Sequence, residues 1–305
     1  MELGSAEWPV EEMAPPHFSV TLDGATVPVG LRRLSDIEEY RQCESLQERI
    51  WGPEDIGRAS LLVMLTAEHN GGLVIGAFAR DRLIGFAYSF LGLTPAGRLK
   101  HCSILLAVEP QFHRSGIGYQ LKRAQREAVL AQGLDLITWT FDPLAGVNAY
   151  LNLRKLGCVS SVYLENYYGI ATGGLNAGLV TDRFLVEWWI RSDHVERRLQ
   201  RQGQEPSVKG VLINDVMLRS GLPVNREYRL DLEEPVLLVE IPEDLRALKA
   251  VDMGLAYAWR MVLREVFARY LASGYRVEDF FRRKYQGRVR SCYVLRKGRR
   301  LASVQ

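Results

Sequence analysis

The sequence predicts a mixed α/β protein, a mostly antiparallel central sheet with flanking helices, followed by a small C-terminal α+β extension. Three observations carry that expectation. Turn and capping residues order the elements between residues 27 and 192 as strand, two helices, three strands, helix, strand, helix, two strands. That order is not the strict alternation of a doubly wound sheet. A strand, a long helical stripe and further strands then resume after residue 236. The composition, 47% apolar and 25% charged over 305 residues, is that of an ordinary globular chain with the length of about two domains.

Residues 1–25 hold Pro9, Pro15, Pro16 and Gly24 among few apolar residues and read as a loosely ordered lead-in. Val27–Leu31 is the first strand. Ser35 and Glu38 have the spacing of a capping box, opening a helix that runs to Trp51 with Ile37, Tyr40, Cys43, Leu46 and Ile50 on one face. A second helix covers Arg58–Glu68 and stops before Gly71-Gly72. Leu73–Ala79 and Leu83–Leu91 form a hairpin across Arg80-Asp81-Arg82, and Cys102–Val108 is the next strand. Past Gly116–Gly118, Ile117, Leu121, Ala124 and Ala128 fall on one helix face, and Gly133 ends that helix. Leu134–Phe141 is a strand, Asn148–Leu156 a short helix, and Cys158–Tyr163 and Arg183–Ile190 are strands. Residues 192–206 read as a solvated helix or connector, 193–235 as the connecting segment, and 236–305 as an extension that docks on the first domain (26–192). The extension comprises Val236–Ile241, one helix over Leu245–Ser273, and strands at Tyr275–Phe280 and Ser291–Leu295, with the basic stretch 280–290 as an exposed loop.

Several classes are excluded. No run of about 18 apolar residues is present, so no membrane span is expected. The start Met-Glu-Leu-Gly has no basic cluster and no apolar run behind it, so a secretory signal is not expected. Cys43, Cys102, Cys158 and Cys292 lack metal or disulfide spacing and are expected to be reduced, in a cytoplasmic protein without a metal. The net charge, 39 − 36 = +3, gives no reason to expect nucleic acid.

Chemistry concentrates in Leu105–Gly118, LLAVEPQFHRSGIG. An apolar strand enters a tight turn whose glycines open an amphipathic helix. Such a turn aims backbone N–H groups at a positive helix end, suited to phosphate oxygens. Side chains at Gly116 and Gly118 would fill the phosphate's place, and His113 and Arg114 can add charge. A P-loop is out for want of Gly-Lys-Ser/Thr, and the dinucleotide fingerprint for want of a third glycine and a leading βαβ unit.

With these elements and this turn, Val27–Ser192 resembles the GNAT superfamily of N-acyltransferases. Gly116 and Gly118 match its pattern Arg/Gln-x-x-Gly-x-Gly/Ala, with His113 at the first position and Arg114 next. The second family motif, Asn-x-x-Ala-x-x-Leu-Tyr-x-Lys-x-Gly-Phe, falls on Gly146–Cys158. There Ala149, Lys155 and Gly157 match, Gly146 replaces Asn, Leu153 replaces Tyr, and Cys158 replaces Phe. Asp142-Pro143-Leu144, Asn148-Ala149, Lys155-Leu156-Gly157 and Asn166–Gly169 also resemble a less-studied branch of predicted bacterial GNAT proteins with a similar C-terminal extension.

The resemblance implies an acyl-CoA-binding domain and acetyl-CoA or another acyl-CoA as co-substrate. The cofactor would lie against Leu106, Ala107, Val108, His113, Arg114, Ser115, Gly116, Ile117, Gly118 and Tyr119, with Asn148 on its amide arm. It also implies direct attack by an amine on the thioester with both substrates bound, a proximity effect worth up to roughly 7–11 kcal/mol. A backbone donor to the oxyanion contributes about 3 kcal/mol more. Glu109 is then the nearest candidate base, and Tyr150 or Tyr167 stands in for the missing Tyr as acid to the thiolate. Trp139, Tyr168 and Trp189 are candidate acceptor walls. Arg260 and Arg264, four apart, could clamp a carboxylate, although a solvated basic face is the plainer reading. The expected activity is transfer of an acyl group, acetyl by default or succinyl, to the primary amine of a small molecule such as an amino acid, by a monomer or homodimer. The alternative is a catalytically degenerate CoA-binding module.

Overall fold

The computed structural model describes residues 18–22, 24–52, 57–169, 178–200, 208–285 and 287–298. The expected lead-in falls outside them up to residue 17, as do residues 201–207 of the expected connector. The chain forms two compact units, residues 1–135 and 136–305. Mixed α/β architecture holds in both, with sheets that are mostly antiparallel and helices packed on them.

The first unit contains β1 (Ser19–Leu22), β2 (Ala25–Arg33), α1 (Ile37–Trp51), α2 (Leu61–His69), β3 (Leu73–Ala79), β4 (Arg82–Leu93), β5 (Leu99–Val108) and α3 (Ile117–Ala131). Its five strands run in sequence order, each antiparallel to the next. β3 is buried along its whole length, and its side chains alternate between two cores. Ile75, Ala77 and Ala79 pack with Ile117, Leu121 and Ala124 of α3, while Val74 and Phe78 pack with Tyr40, Cys43, Leu46 and Met64 of α1 and α2. The sheet is therefore covered on both faces, which explains why β3 and β4 read as near-continuous apolar runs.

Two local details differ from the sequence reading. β1 occupies part of the segment expected to be loosely ordered. The cap of α1 is shifted by one residue: Asp36 accepts from the Glu39 amide at 3.0 Å, and Glu39 accepts from the Ser35 amide at 2.7 Å. Glu39 outcompetes Glu38 because Arg32 of β2 also grips it with two hydrogen bonds, a contact no local pattern announces.

The second unit contains β6 (Leu136–Phe141), α4 (Gly146–Ala149), a π-helical turn (Tyr150–Lys155), β7 (Val159–Leu164), β8 (Arg183–Trp189), α5 (Asp193–Gln200), β9 (Val211–Leu212), β10 (Asn214–Arg219), β11 (Leu222–Tyr228), β12 (Val236–Ile241), α6 (Leu245–Val251), α7 (Met253–Ala272), β13 (Tyr275–Tyr285) and β14 (Arg288–Lys297). The sheet order is β6-β8-β7-β13-β14-β12-β9, with β10 and β11 as a separate hairpin. Phe267 of α7 sits in an aromatic cluster with Tyr163, Phe184 and Tyr293. Aromatic pairs of this kind, here one stacked and two edge-to-face, add about 0.5–1.5 kcal/mol each beyond burial.

Three sequence expectations are corrected here. The single helix over 245–273 is broken at Asp252, whose carboxylate caps α7 at the Leu255 amide (2.8 Å) while its own amide closes α6 on Leu248. The connecting segment opens with the helix expected there, α5, but also holds β9 and the β10–β11 hairpin, which were not expected. In the basic stretch expected as a loop, residues 280–285 and 288–290 are instead the paired ends of β13 and β14, where Glu240 holds Arg288 and Arg290 and Glu243 holds Arg282.

Gly157 takes φ +75°, and a Cβ there would lie 2.9 Å from Arg198 Cγ, so glycine is what lets α5 approach. Beside it, His194 Nε2 is buried without a hydrogen bond among the described residues. Burial, reinforced by Arg198, lowers its pKa from 6.5 to about 4. As pH falls through that window the unfolded chain binds a proton that the folded chain refuses, so stability is lost, about 3 kcal/mol by its lower end. His194→Leu should flatten this part of a melting-temperature curve between pH 7 and 4.5. An unchanged slope would assign the acid sensitivity to other groups.

Candidate functional site

The turn after β5 is built from short backbone bonds. The Glu109 amide donates to the Ile84 carbonyl (2.9 Å), Phe112 to Glu109 (2.9 Å), His113 to Pro110 (3.1 Å) and Ser115 to Phe112 (3.2 Å). Phe112, 5% exposed, anchors the turn in the α3-side core. Arg114 and Gly116 both take positive φ, +68° and +95°. Gly116 is the N-cap of α3 and offers no side chain to the first-turn amides. The helical ladder begins only with the Gln120 amide on the Gly116 carbonyl (3.1 Å). Ser115 Oγ reaches the Ile117 amide at a long 3.4 Å. The positive end of a 15-residue helix is thus left for an external acceptor.

Gly118 adds an independent sign. A Cβ there would meet only Leu106 Cδ2 at 3.6 Å and Val108 Cγ2 at 3.8 Å, ordinary contacts. The folded chain has room for a side chain in a helix where glycine costs about 1 kcal/mol. The chain's own packing therefore does not require glycine at this position.

His113 turns its ring back, with Nε2 3.0 Å from the Val108 carbonyl, so it braces the strand end, while Arg114 and Ser115 are exposed at the rim. Leu106 and Val108 are half-buried, Ala107 and Ile117 buried, and Tyr119 6% exposed.

Glu109 is buried and bound through Oε1 to Arg82, with Arg49 Nε at 3.8 Å, beside a cavity of about 430 Å³. Its other oxygen, Oε2, is buried without a hydrogen bond among the described residues. His101 is fully buried between Ser89 Oγ (3.1 Å) and Gln132 Oε1 (2.6 Å), and burial lowers its pKa. These contacts make it a tie between β4, β5 and the end of α3.

In the second unit, Tyr167 and Tyr168 are exposed neighbours in the turn after β7, ring centroids 4.6 Å apart. The Tyr168 hydroxyl lies 3.2 Å from Thr140 Oγ1, and Arg183 stands 5.2 Å from its ring. Trp189 is four rungs away along β8, paired opposite Leu136 and bonded to Glu187 (3.0 Å), so it does not join that group. Trp139 is half-buried edge-on to Trp188 at 6.0 Å. Asn148 is exposed on α4, and Tyr150 is half-buried where the π-helical turn begins.

Arg260 and Arg264 clamp carboxylates of the chain itself. Arg260 binds both oxygens of Asp142 at 2.7 Å, and Arg264 binds those of Asp182 at 2.6 and 3.0 Å. Neither solvated face nor acceptor clamp describes them.

A group missed in the sequence is Glu68, at the end of α2. Its Oε2 accepts from the Tyr40 hydroxyl, and burial raises its pKa to about 7. Only the fold brings residues 40 and 68 together, so no spacing could have shown it. Among the described residues, no cluster of three or more His, Cys, Asp or Glu is placed to hold a metal, and no helix is long and apolar enough to cross a membrane.

No family model matches the sequence, and no curated protein matches it. Solved structures similar to about half of the chain include the acetyltransferase of GNAT family from Streptococcus pneumoniae, with TM-score 0.42 and 14% identity over 52% of this chain and 97% of that one. An N-acetyltransferase from Staphylococcus aureus Mu50 is similar with TM-score 0.43 and 14% identity, over 53% and 99%. The ribosomal-protein-S18-alanine N-acetyltransferase from Escherichia coli is similar with TM-score 0.43 and 14% identity, over 54% of this chain and 95% of that one.

Proposed function

We propose that this chain is a GNAT-type N-acyltransferase that moves an acyl group, acetyl by default, from acyl-CoA to a primary amine. The observation that carries this is the turn Phe112–Gly118: an uncapped helix N-terminus, two residues at positive φ, and a glycine that the chain's own packing does not require. The amides of Gly116, Ile117 and Gly118 bind the diphosphate, with Arg114 and Ser115 at the rim and Tyr119 beneath. Leu106–Val108 carry the pantetheine arm. Tyr150 or Tyr167 returns a proton to the departing thiolate. Trp139 and Tyr168 are acceptor contacts, and a small-molecule amine such as an amino acid is the acceptor class.

Attack by the amine nitrogen on the thioester carbonyl carbon forms the C–N bond. The tetrahedral adduct collapses with loss of the C–S bond, and the nitrogen gives up one proton. The balance is ammonium plus acyl thioester to amide, thiol and one proton. Binding both reactants supplies most of the acceleration.

Thiol release from acetyl-CoA and succinyl-CoA, measured against glycine, L-glutamate, spermidine and an alanine-led tripeptide, tests the reading. Amine-dependent release is the expected result. Binding of coenzyme A without release by any amine would favour the non-catalytic binding module, and absence of binding would remove both.

A further inference from the structure

We propose that Arg183, together with Tyr168 and the strand face beside them, binds a small organic carboxylate that carries an apolar or aromatic group. Alternation along β8 sets the place. Phe184, Val186 and Trp188 are buried on one face, while Arg183 and Leu185 are half-buried on the other. On that second face Arg183 stands opposite Leu164 of β7, and Leu185 stands between Val162 of β7 and Thr140 of β6. Val162 is 39% exposed, so this part of the face is open to solvent. The Tyr168 hydroxyl reaches it at Thr140 Oγ1 (3.2 Å), and the Arg183 guanidinium stands 5.2 Å from the Tyr168 ring.

Arg183 differs from the arginines around it in its charge balance. In the same unit Arg260 is matched by Asp142, Arg264 by Asp182 and Glu165, and Arg154 and Arg198 by Asp279. Asp182, next to Arg183 in the chain, is filled by Arg264, the Tyr163 hydroxyl and the Asn166 amide. Glu187 lies four residues along β8, about 13 Å away, and accepts from Trp189. Residues 170–177, which join the tyrosine turn to Gly178, carry no acidic side chain. Among the described residues no hydrogen bond or ion pair reaches the Arg183 guanidinium, and its Nε is buried without one. A half-buried cation in this state gains from an anion with two acceptor oxygens, and a carboxylate matches the planar guanidinium. The turn supplies the apolar half. The Tyr167 amide donates to the Thr181 carbonyl (3.0 Å) and the Tyr168 amide to Thr181 Oγ1 (2.8 Å), whose hydroxyl donates to the Gly169 carbonyl (2.7 Å). This holds the Tyr168 ring 61% exposed beside Arg183, so its contact area is offered with little ordering left to lose. A single guanidinium beside a ring and Leu185 suits a monoanion with an apolar body better than inorganic phosphate.

Titration of the whole ¹⁵N-labelled chain with phenylacetate, without coenzyme A, tests the site through the arginine side-chain Nε–H signals. One signal should shift and saturate with a Kd of about 1 mM. That signal should be missing in Arg183→Gln, which should bind phenylacetate at least about tenfold more weakly. The melting temperature of Arg183→Gln should stay unchanged or rise, because a half-buried charge without a partner is removed, and this separates lost recognition from lost folding. Tyr168→Ala should weaken binding about fivefold. Acetate, which lacks the ring, and 2-phenylethanol, which lacks the charge, should each bind at least about tenfold more weakly than phenylacetate. The absence of a saturable shift, or phenylacetate affinity within about twofold in Arg183→Gln, overturns the site. Affinity for acetate or inorganic phosphate equal to that for phenylacetate overturns the ligand class. Coenzyme A takes no part in these measurements, so neither result bears on the acyl-transfer reading.

Discussion

Replacing Gly118 by Asp should weaken coenzyme A binding by about two orders of magnitude, near 3 kcal/mol, and leave the melting temperature unchanged or higher. The two effects have separate causes. A side chain at this position meets only ordinary contacts at 3.6 and 3.8 Å, so the fold tolerates it. Any residue but proline is a better helix former than glycine, and an acidic group in the first turn suits the helix dipole. The same carboxylate would stand where the diphosphate is proposed to sit, repelling it and blocking amides worth about 1.5–3 kcal/mol in charge-assisted bonds. Calorimetric titration beside a thermal melt separates the two. Binding within about twofold of the unaltered chain would show that the diphosphate lies elsewhere. Gly116→Val would be a poorer probe, because φ +95° strains any branched residue whatever the ligand does.

The largest stability effect is expected at Arg260. Arg260→Met should cost about 3–5 kcal/mol, because Asp142, 5% exposed, would lose both charge-assisted hydrogen bonds to its buried carboxylate. Urea unfolding reads the loss directly. Asp142→Asn in the same chain should recover much of it, since the desolvation penalty falls on the unpaired ion more than on the missing contact. A loss below about 1 kcal/mol would mean that water reaches the carboxylate. Arg264 sets a milder comparison. It is more exposed, and Asp182 keeps the Asn166 amide and the Tyr163 hydroxyl, which with Arg264 outweigh burial and hold its pKa below the usual range. That contribution is lost as pH falls through the depressed value.

What could be read in the sequence was what repeats locally. Apolar runs on either side of a polar turn exposed β3 and β4, the apolar stripe exposed α3, and the strand–glycine–helix spacing exposed the turn, because each is a short-range pattern with one geometric solution. The misses are long-range. Arg32 reaching Glu39 moved a cap, Asp252 serving two helices at once broke a stripe that looked continuous, and Glu240 drew a basic loop into strands. The site divides in the same way. Backbone donors in the turn were legible, while long-range side-chain partners were not: Glu109 is adjacent to the motif yet held by Arg82, and Glu68 meets Tyr40 only in the fold.

Titration of the ¹⁵N-labelled chain with coenzyme A, followed through the backbone amide signals of Gly116 and Gly118, tests the central claim most directly. The expected result is a downfield shift of both signals that saturates with the binding isotherm and is reproduced by inorganic pyrophosphate but not by pantetheine. Saturable binding that leaves both glycine amides in place would contradict it.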